Sequence, residues 1–157
     1  GGEYFKMFAK KTNCLGNNVP KVDWKKNLKT YLALEQVIQK ELVASSISVH
    51  SGGLVIALAK ACVGGMLGCK INVTGMSGGS NSAEVKLFSE SQGRILVSVA
   101  SKNVKVFEKM VENIAYAKLG AVFRDGKVII MDGKNKIVDT NVKKLYSIYH
   151  SFSNKMQ

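Results

Sequence analysis

The segment Leu87-Phe88-Ser89-Glu90-Ser91-Gln92-Gly93-Arg94 gathers a carboxylate, hydroxyls, an amide and a guanidinium, then runs straight into the apolar stretch Ile95 to Val99. Read as a polar turn between two strands, it sets these groups at one sheet edge. Glu90 is then the candidate ligand-facing carboxylate and Arg94 the candidate anion contact, flanked by the hydroxyls of Ser89 and Ser91. The same residues also allow a structural role. Glu90 can fix the turn by accepting backbone N–H groups, and Arg94 can close a strand-end ion pair, with Glu90 as one available partner. Upstream, Ser51-Gly52-Gly53-Leu54 opens an apolar helix just after a short strand. Backbone N–H groups at such a helix start can cradle an anion, helped by the helix dipole. Equally, Gly52 and Gly53 permit a tight turn and close packing of helix on sheet. Neither a Walker A pattern nor G-x-G-x-x-G occurs, so no self-contained nucleotide site of either common type is expected.

The remaining chemistry-bearing residues are sparse. His50 and His150 have no acid at supporting spacing, and catalysis by histidine needs such a partner geometry. Cys14, Cys62 and Cys69 form no C-x-x-C and no zinc spacing. Cys62 falls on the apolar helix and Cys69 at a strand start, which suits buried free thiols in a reducing, cytoplasmic setting. No metal site is expected in this chain.

Composition narrows the class further. The chain has 157 residues, 46% hydrophobic with one proline, which fits a folded globular domain with one sizeable core. The longest apolar run, Gly52 to Gly68, is broken by Lys60 and glycines and falls short of the roughly 20 residues that a membrane span needs. The start, Gly1-Gly2-Glu3-Tyr4, has no initiating methionine and no signal-peptide pattern, so the sequence is expected to begin mid-protein or after processing. Twenty-three Lys and Arg against eleven acids give a net charge of +12, a surface that attracts polyanions. Only Arg94 and Arg124 are arginines, and the lysines are dispersed. Sequence-reading DNA binders lean on bidentate arginine, so this charge reads first as a solvated surface. Attraction of phosphorylated metabolites or of an acidic partner subunit is the further use, and nucleic acid is not expected.

These groups need elements to hold them. Residues 3 to 9 form a short helix with Tyr4, Phe5 and Phe8 on its apolar side, and Asn13 to Lys21 reads as a loop. Asp23 then caps an amphipathic helix whose stripe is Trp24, Leu28, Tyr31, Leu34, Ile38 and Leu42. Trp24 and the tyrosines on such stripes are expected in the core. Ser45 to His50 alternates as a strand, and Gly52 to Val63 is a small-residue helix, apolar almost all round and therefore buried. Cys69 to Val73 is the second strand, Gly75 to Ser80 a flexible loop, Glu84 to Phe88 the lead into a third strand, and Ile95 to Val99 a fourth. Residues 103 to 115 repeat helically. Ala117 to Phe123 and Lys127 to Met131 are strands around the turn Arg124-Asp125-Gly126, with Lys136 to Val138 extending that sheet and Val142, Leu145, Tyr149 and Phe152 marking a last helix. The irregular alternation points to an α/β or α+β fold, a mixed sheet with helices on its faces.

The order Ser51-Gly52-Gly53-Leu54, a small-residue helix, Gly64-Gly65-Met66-Leu67-Gly68 and then Leu87 to Arg94 resembles the large, ATP-dependent subunit of formylglycinamidine ribonucleotide synthase. Within that family it is similar to the last domain, of the AIR synthase-related superfamily. The likeness is specific in residues 43 to 100 and diffuse outside them. Gly1-Gly2-Glu3-Tyr4-Phe5 is similar to the segment that closes the preceding domain, which implies residues 1–20 as the end of that domain and 21–157 as the C-terminal domain. The superfamily also holds aminoimidazole ribonucleotide synthetase, selenophosphate synthetase and thiamine phosphate kinase; Leu-Phe-Ser-Glu-Ser-x-Gly-Arg favours the amidine synthase.

The resemblance implies a mixed sheet between helical layers, partly ferredoxin-like, and a C–N ligase of purine biosynthesis. That enzyme uses ATP and magnesium to activate formylglycinamide ribonucleotide, and ammonia from glutamine displaces the activated oxygen. It implies as partners the remaining domains of the same polypeptide, a glutaminase subunit and a small accessory subunit. It also implies that this piece alone is inactive, most ATP and metal ligands lying elsewhere, and a homodimer of the piece through uncovered apolar strands is a further expectation. Gly52, Gly53, Ser89, Glu90, Ser91 and Arg94 are the implied substrate- or nucleotide-binding residues, with no catalytic residue assigned. The chain departs from the family pattern C-H-D-V-S-D-G-G-L at Ser46 to Leu54: the His-Asp pair is Ile47-Ser48, the second acid is Ser51, and His50 stands at a serine position. The competing reading is a basic α/β module that binds a phosphorylated ligand or nucleic acid.

Overall fold

The computed structural model describes residues 2–12, 21–76 and 82–153. The chain divides into two compact units, Gly1–Ala57 with Phe88–Tyr116, and Leu58–Leu87 with Ala117–Gln157.

The first unit begins with α1 (Glu3–Thr12) and α2 (Trp24–Gln39). Asp23 caps α2 as its position foretells: its Oδ1 accepts from Lys26 N at 3.0 Å. The helix stops early because Glu41 turns left-handed (φ 56°), and the N–H groups of Glu41 and Leu42 close back on the Ile38 and Val37 carbonyls. Leu42 therefore lies beyond the helix. Strand β1 (Val43–Ser48) pairs antiparallel with β3 (Ile95–Val99), Ile47 facing Leu96 and Ser46 facing Val97. A 3-10 turn (Ser101–Asn103) leads into α5 (Val104–Met110), which is shorter than the 103 to 115 periodicity suggests. Among the described residues, Val37, Val49, Leu54, Ala57 and Val111 are this unit's buried apolar residues.

One expectation fails here. Trp24 is 65% exposed, and Leu28, Tyr31 and Ile38 are exposed as well, as are Tyr116, Tyr146 and Tyr149 elsewhere. Helical periodicity decides which side chains share a face; it does not decide whether anything covers that face. Only Val37 of α2 is fully buried.

The second unit is built on a four-stranded mixed sheet in the order β4-β2-β5-β6. Its strands are β2 (Gly68–Asn72), β4 (Gly120–Phe123), β5 (Lys127–Asp132) and β6 (Asn135–Asn141). β2 and β5 run parallel, with Ile71 beside Ile130, while β4 and β6 flank them antiparallel. Alternation buries Cys69, Ile71, Val128 and Ile130, joined by Leu58, Cys62, Val73, Leu87 and Val142. Helix α6 (Val142–Ser153) follows β6. The chain is thus mixed α/β as its sequence indicates, with the strands shared between two sheets.

Helix α3 (Gly53–Gly65) gives its first turn to the first unit and the rest to the second. It ends at Met66 rather than at a glycine: Met66 is left-handed (φ 51°), and the N–H groups of Met66 and Leu67 close on Val63 and Cys62. Residues 84 to 88 are not strand. They belong to α4 (Ala83–Phe88), a short helix with Glu84 in its first turn and Lys86 in its last. Glu, Lys and Leu favour helix, and the acid and base sit at the ends the helix dipole prefers. The Ser89-to-Gly93 segment accordingly joins a helix to a strand. Cys14, most of the 13 to 21 loop and most of the Gly75 to Ser80 loop lie outside the described residues, as do the side chains of Phe8 and Phe152.

Candidate functional site

Gly52 and Gly53 both take positive φ, 82° and 72°, a region closed to most side chains. That kink lets the Gly53 N–H reach the His50 carbonyl at 2.8 Å as α3 begins. His50 is exposed, and its Nδ1 accepts from Ser51 N at 2.8 Å, so its ring serves the turn locally. A Cβ on Gly52 would strike the Ile56 side chain one helical turn on.

The structure brings Gly52 to Glu90. Glu90 Oε1 accepts the Gly52 N–H at 2.8 Å and also the N–H of Glu3, the first residue of α1, at 2.7 Å. One carboxylate oxygen thus ties the α3 turn to the start of α1. These two N–H groups, Gly52 first, hold the Glu90 carboxyl below its ordinary range. The backbone amide that an anion cradle would present to a ligand is therefore already taken by an internal carboxylate. Tyr4 stacks on Phe88 with ring centroids 4.4 Å apart, which seats α1 beside the Ser89–Glu90 turn.

Ser89 and Ser91 face one another, Oγ to Oγ at 3.3 Å. Arg94 makes no ion pair with Glu90; its Nη2 donates to the Ser89 carbonyl, and its buried Nε has no partner among the described residues. Burial pulls the guanidinium below its ordinary value, as expected for a cation that has given up water without gaining a counter-charge. Gly93, left-handed at φ 81°, makes the turn possible: a Cβ there would collide with the amide of Asn27 on α2. The arrangement offers a half-buried cation bonded to the Ser89 carbonyl, with the paired Ser89 and Ser91 hydroxyls in the same turn. That combination suits a polar, anionic ligand.

Sequence reasoning missed a second polar cluster, in the other unit. At the carboxyl ends of the parallel strands β2 and β5, Lys86 Nζ lies 3.0 Å from Asp132 Oδ1, and Thr74 Oγ1 lies 3.1 Å from the same oxygen. Asn72 Oδ1 accepts from the N–H groups of Thr74 at 3.0 Å and Gly133 at 3.2 Å. Lys86 first, then Thr74, hold the Asp132 carboxyl below its ordinary value. These residues are up to 61 positions apart in the sequence; the parallel pairing of β2 with β5 brings Asn72 and Thr74 to Asp132 and Gly133, and α4 supplies Lys86. Each strand turning polar at its carboxyl end was the available signal. Cys62 and Cys69 sit with their sulfurs 3.7 Å apart, both buried. The neighbouring Cys62 sulfur and burial hold Cys69 as the thiol. Among the described residues no three His, Cys, Asp or Glu side chains group as a metal site, and no helix is long and apolar enough to cross a membrane.

The chain is 29% identical over 157 residues to the phosphoribosylformylglycinamidine synthase subunit PurL of Methanocaldococcus jannaschii, covering 99% of this chain and 20% of the relative. It therefore spans about a fifth of the length of the curated relatives it matches. Thermotoga maritima PurL complexed with FGAR superposes with a TM-score of 0.75 at 15% identity, over 87% of this chain and 23% of that one. The same protein complexed with ATP gives 0.66 at 17% identity, over 78% and 21%. These likenesses establish the fold. The family model for the AIR synthase related protein C-terminal domain matches residues 5–133, and the chain belongs to that family.

Proposed function

We propose that this chain is the C-terminal part of an ATP-dependent C–N ligase that converts formylglycinamide ribonucleotide to formylglycinamidine ribonucleotide in purine biosynthesis, in the cytoplasm. In that reaction ATP activates the amide oxygen of the substrate, and ammonia released from glutamine displaces it. The observation that carries the reading is the junction of Ser51-Gly52-Gly53-Leu54 with Ser89-Glu90-Ser91 through the Glu90–Gly52 hydrogen bond, within a chain matched along 99% of its length by a PurL subunit.

Ser89, Glu90, Ser91 and Arg94 are the proposed ligand contacts of a composite substrate or nucleotide site, and Gly52 and Gly53 contribute the turn that holds Glu90, their own N–H groups being taken by Glu90 and the His50 carbonyl. Arg94 supplies the positive charge. Ser89 and Ser91 supply hydroxyls. Glu90 spends Oε1 on the two backbone amides, which leaves Oε2 to accept from a ligand hydroxyl. In this reading magnesium is held by the nucleotide phosphates and by residues outside this chain. The remaining domains of the polypeptide, a glutaminase subunit and a small accessory subunit are the proposed partners, and the chain alone is expected not to turn over.

Calorimetry of formylglycinamide ribonucleotide, ADP and ATP against the chain, with magnesium and at two salt concentrations, tests the site. Saturable binding that persists at the higher salt and disappears in Arg94→Ala supports it. Binding that collapses with salt as generic phosphate neutralisation does, or that survives Arg94→Ala unchanged, removes these residues from the ligand.

A further inference from the structure

Among the described residues, β4 lies at one edge of the second unit's sheet and is hydrogen-bonded only to β2. Edge strands are normally blunted by charge, proline, a bulge or a cover. The opposite edge, β6, follows that rule: it carries Lys136 and Asp139, joined as an ion pair, and an irregularity interrupts its register with β5. β4 does not. Gly120-Ala121-Val122-Phe123 has no charge and no proline, its register with β2 is unbroken, and all four residues are exposed, Val122 at 53% and Phe123 at 47%. The direction of its free groups follows from one bond. The Leu119 carbonyl accepts from Asn72 N at 2.7 Å, so Leu119 and Ala121 point their backbone groups at β2, while Gly120 and Val122 point theirs outward.

Charge says what can pair there. Lys118 and Arg124 bracket the strand, both exposed, and neither takes part in an ion pair among the described residues. Lys70, opposite Ala121 on β2, is exposed too. The nearest acid, Asp125, is engaged by its own turn, accepting from Lys127 N at 3.0 Å. A second copy is a poor occupant: two-fold antiparallel pairing centred on Ala121 sets Lys118 opposite Arg124, and like charges directly opposed are destabilising. We propose that the β4 edge takes an extended peptide segment as an added strand, one with a β-branched centre and an acidic residue at each end. Main-chain bonds to Gly120 and Val122 would give the affinity, and Lys118 and Arg124 would select the flanks.

Two blocked peptides test this, Asp-Thr-Val-Thr-Val-Thr-Asp and the same sequence with lysine at both ends, titrated into the chain by NMR with amide exchange read at Gly120 and Val122. The acidic peptide is expected to bind about tenfold more tightly than the lysine-flanked one, from two gained surface pairs, and to protect both amides. Val122→Pro removes an outward N–H that the β2 ladder does not use and should abolish that protection. Should that variant fail to fold, Lys118→Glu with Arg124→Glu should invert the preference. Equal binding of the two peptides, acidic binding without protection at Gly120 and Val122, no binding of either, or protection that depends only on protein concentration would overturn the proposal, the last in favour of a second copy.

Discussion

Glu90 holds the Gly52 and Glu3 amides through one oxygen, so Glu90→Ala strips both at once and leaves a partly buried N–H without an acceptor. The bond to Gly52 is part-buried and charge-assisted, a class worth about 1.5–3 kcal/mol. The bond to Glu3 is exposed, where water replaces the carboxylate at little cost. The expected loss is about 2 kcal/mol by urea unfolding at neutral pH, read by circular dichroism. Glu90→Gln keeps an accepting oxygen and loses only the charge, so about 1 kcal/mol is expected. The pH dependence has a definite sign. The folded carboxyl lies below its ordinary value of 4.5, so its stabilisation is complete above that value and is lost as pH falls through the lower, folded one. The gap between the parent and both variants should therefore narrow under acid. A loss under about 0.5 kcal/mol for Glu90→Ala, or a gap unchanged from neutral pH down through the carboxylate range, would refute the assignment of Glu90 as the tie between α1 and the α3 turn.

Gly93→Ala combines a disfavoured left-handed backbone with a clash against Asn27 and should cost about 2 kcal/mol; a cost unchanged in an Asn27→Ala background would show that Asn27 is not the obstacle. Met66→Gly relieves a left-handed residue at the end of α3 that is already 47% exposed, and chemical denaturation should show about 0.5 kcal/mol of added stability; destabilisation would contradict that helix end. Asp132→Asn removes the counter-charge of Lys86, whose side chain is only 10% exposed, and should lower the urea midpoint at neutral pH. Because the Asp132 carboxyl is also held low, the difference from the parent should shrink as pH falls below the carboxylate range, and a difference that grows would refute the pairing.

Local chemistry made much of this fold legible. Asp23 marked its helix start because an N-cap needs a side-chain acceptor, and Ile95 to Val99, Lys127 to Met131 and the Arg124-Asp125-Gly126 turn declared themselves by pattern and turn residues. Glu90 and Gly52 were both nameable from residue type. Their direct hydrogen bond was not, because it spans 38 positions and depends on how α3 and the 88 to 94 segment meet. The same limit hid Lys86 and Asp132. Glu84 to Phe88 misled because a short apolar-containing run fits strand or helix alike, and its charge placement, more than its hydrophobicity, sets it as α4. The Trp24 stripe misled because an amphipathic pattern reports a face and not its cover.

The central claim, that this chain completes a formylglycinamidine-forming ligase, is tested most directly by joining it to the remaining domains of the M. jannaschii relative in place of the 20% of that protein that it matches. The readout is ADP release dependent on both formylglycinamide ribonucleotide and ammonia. The chain alone should show none, the joined protein should turn over, and Arg94→Ala should lower that turnover about tenfold or more. A folded joined protein with no ribonucleotide-dependent ADP release would contradict the account.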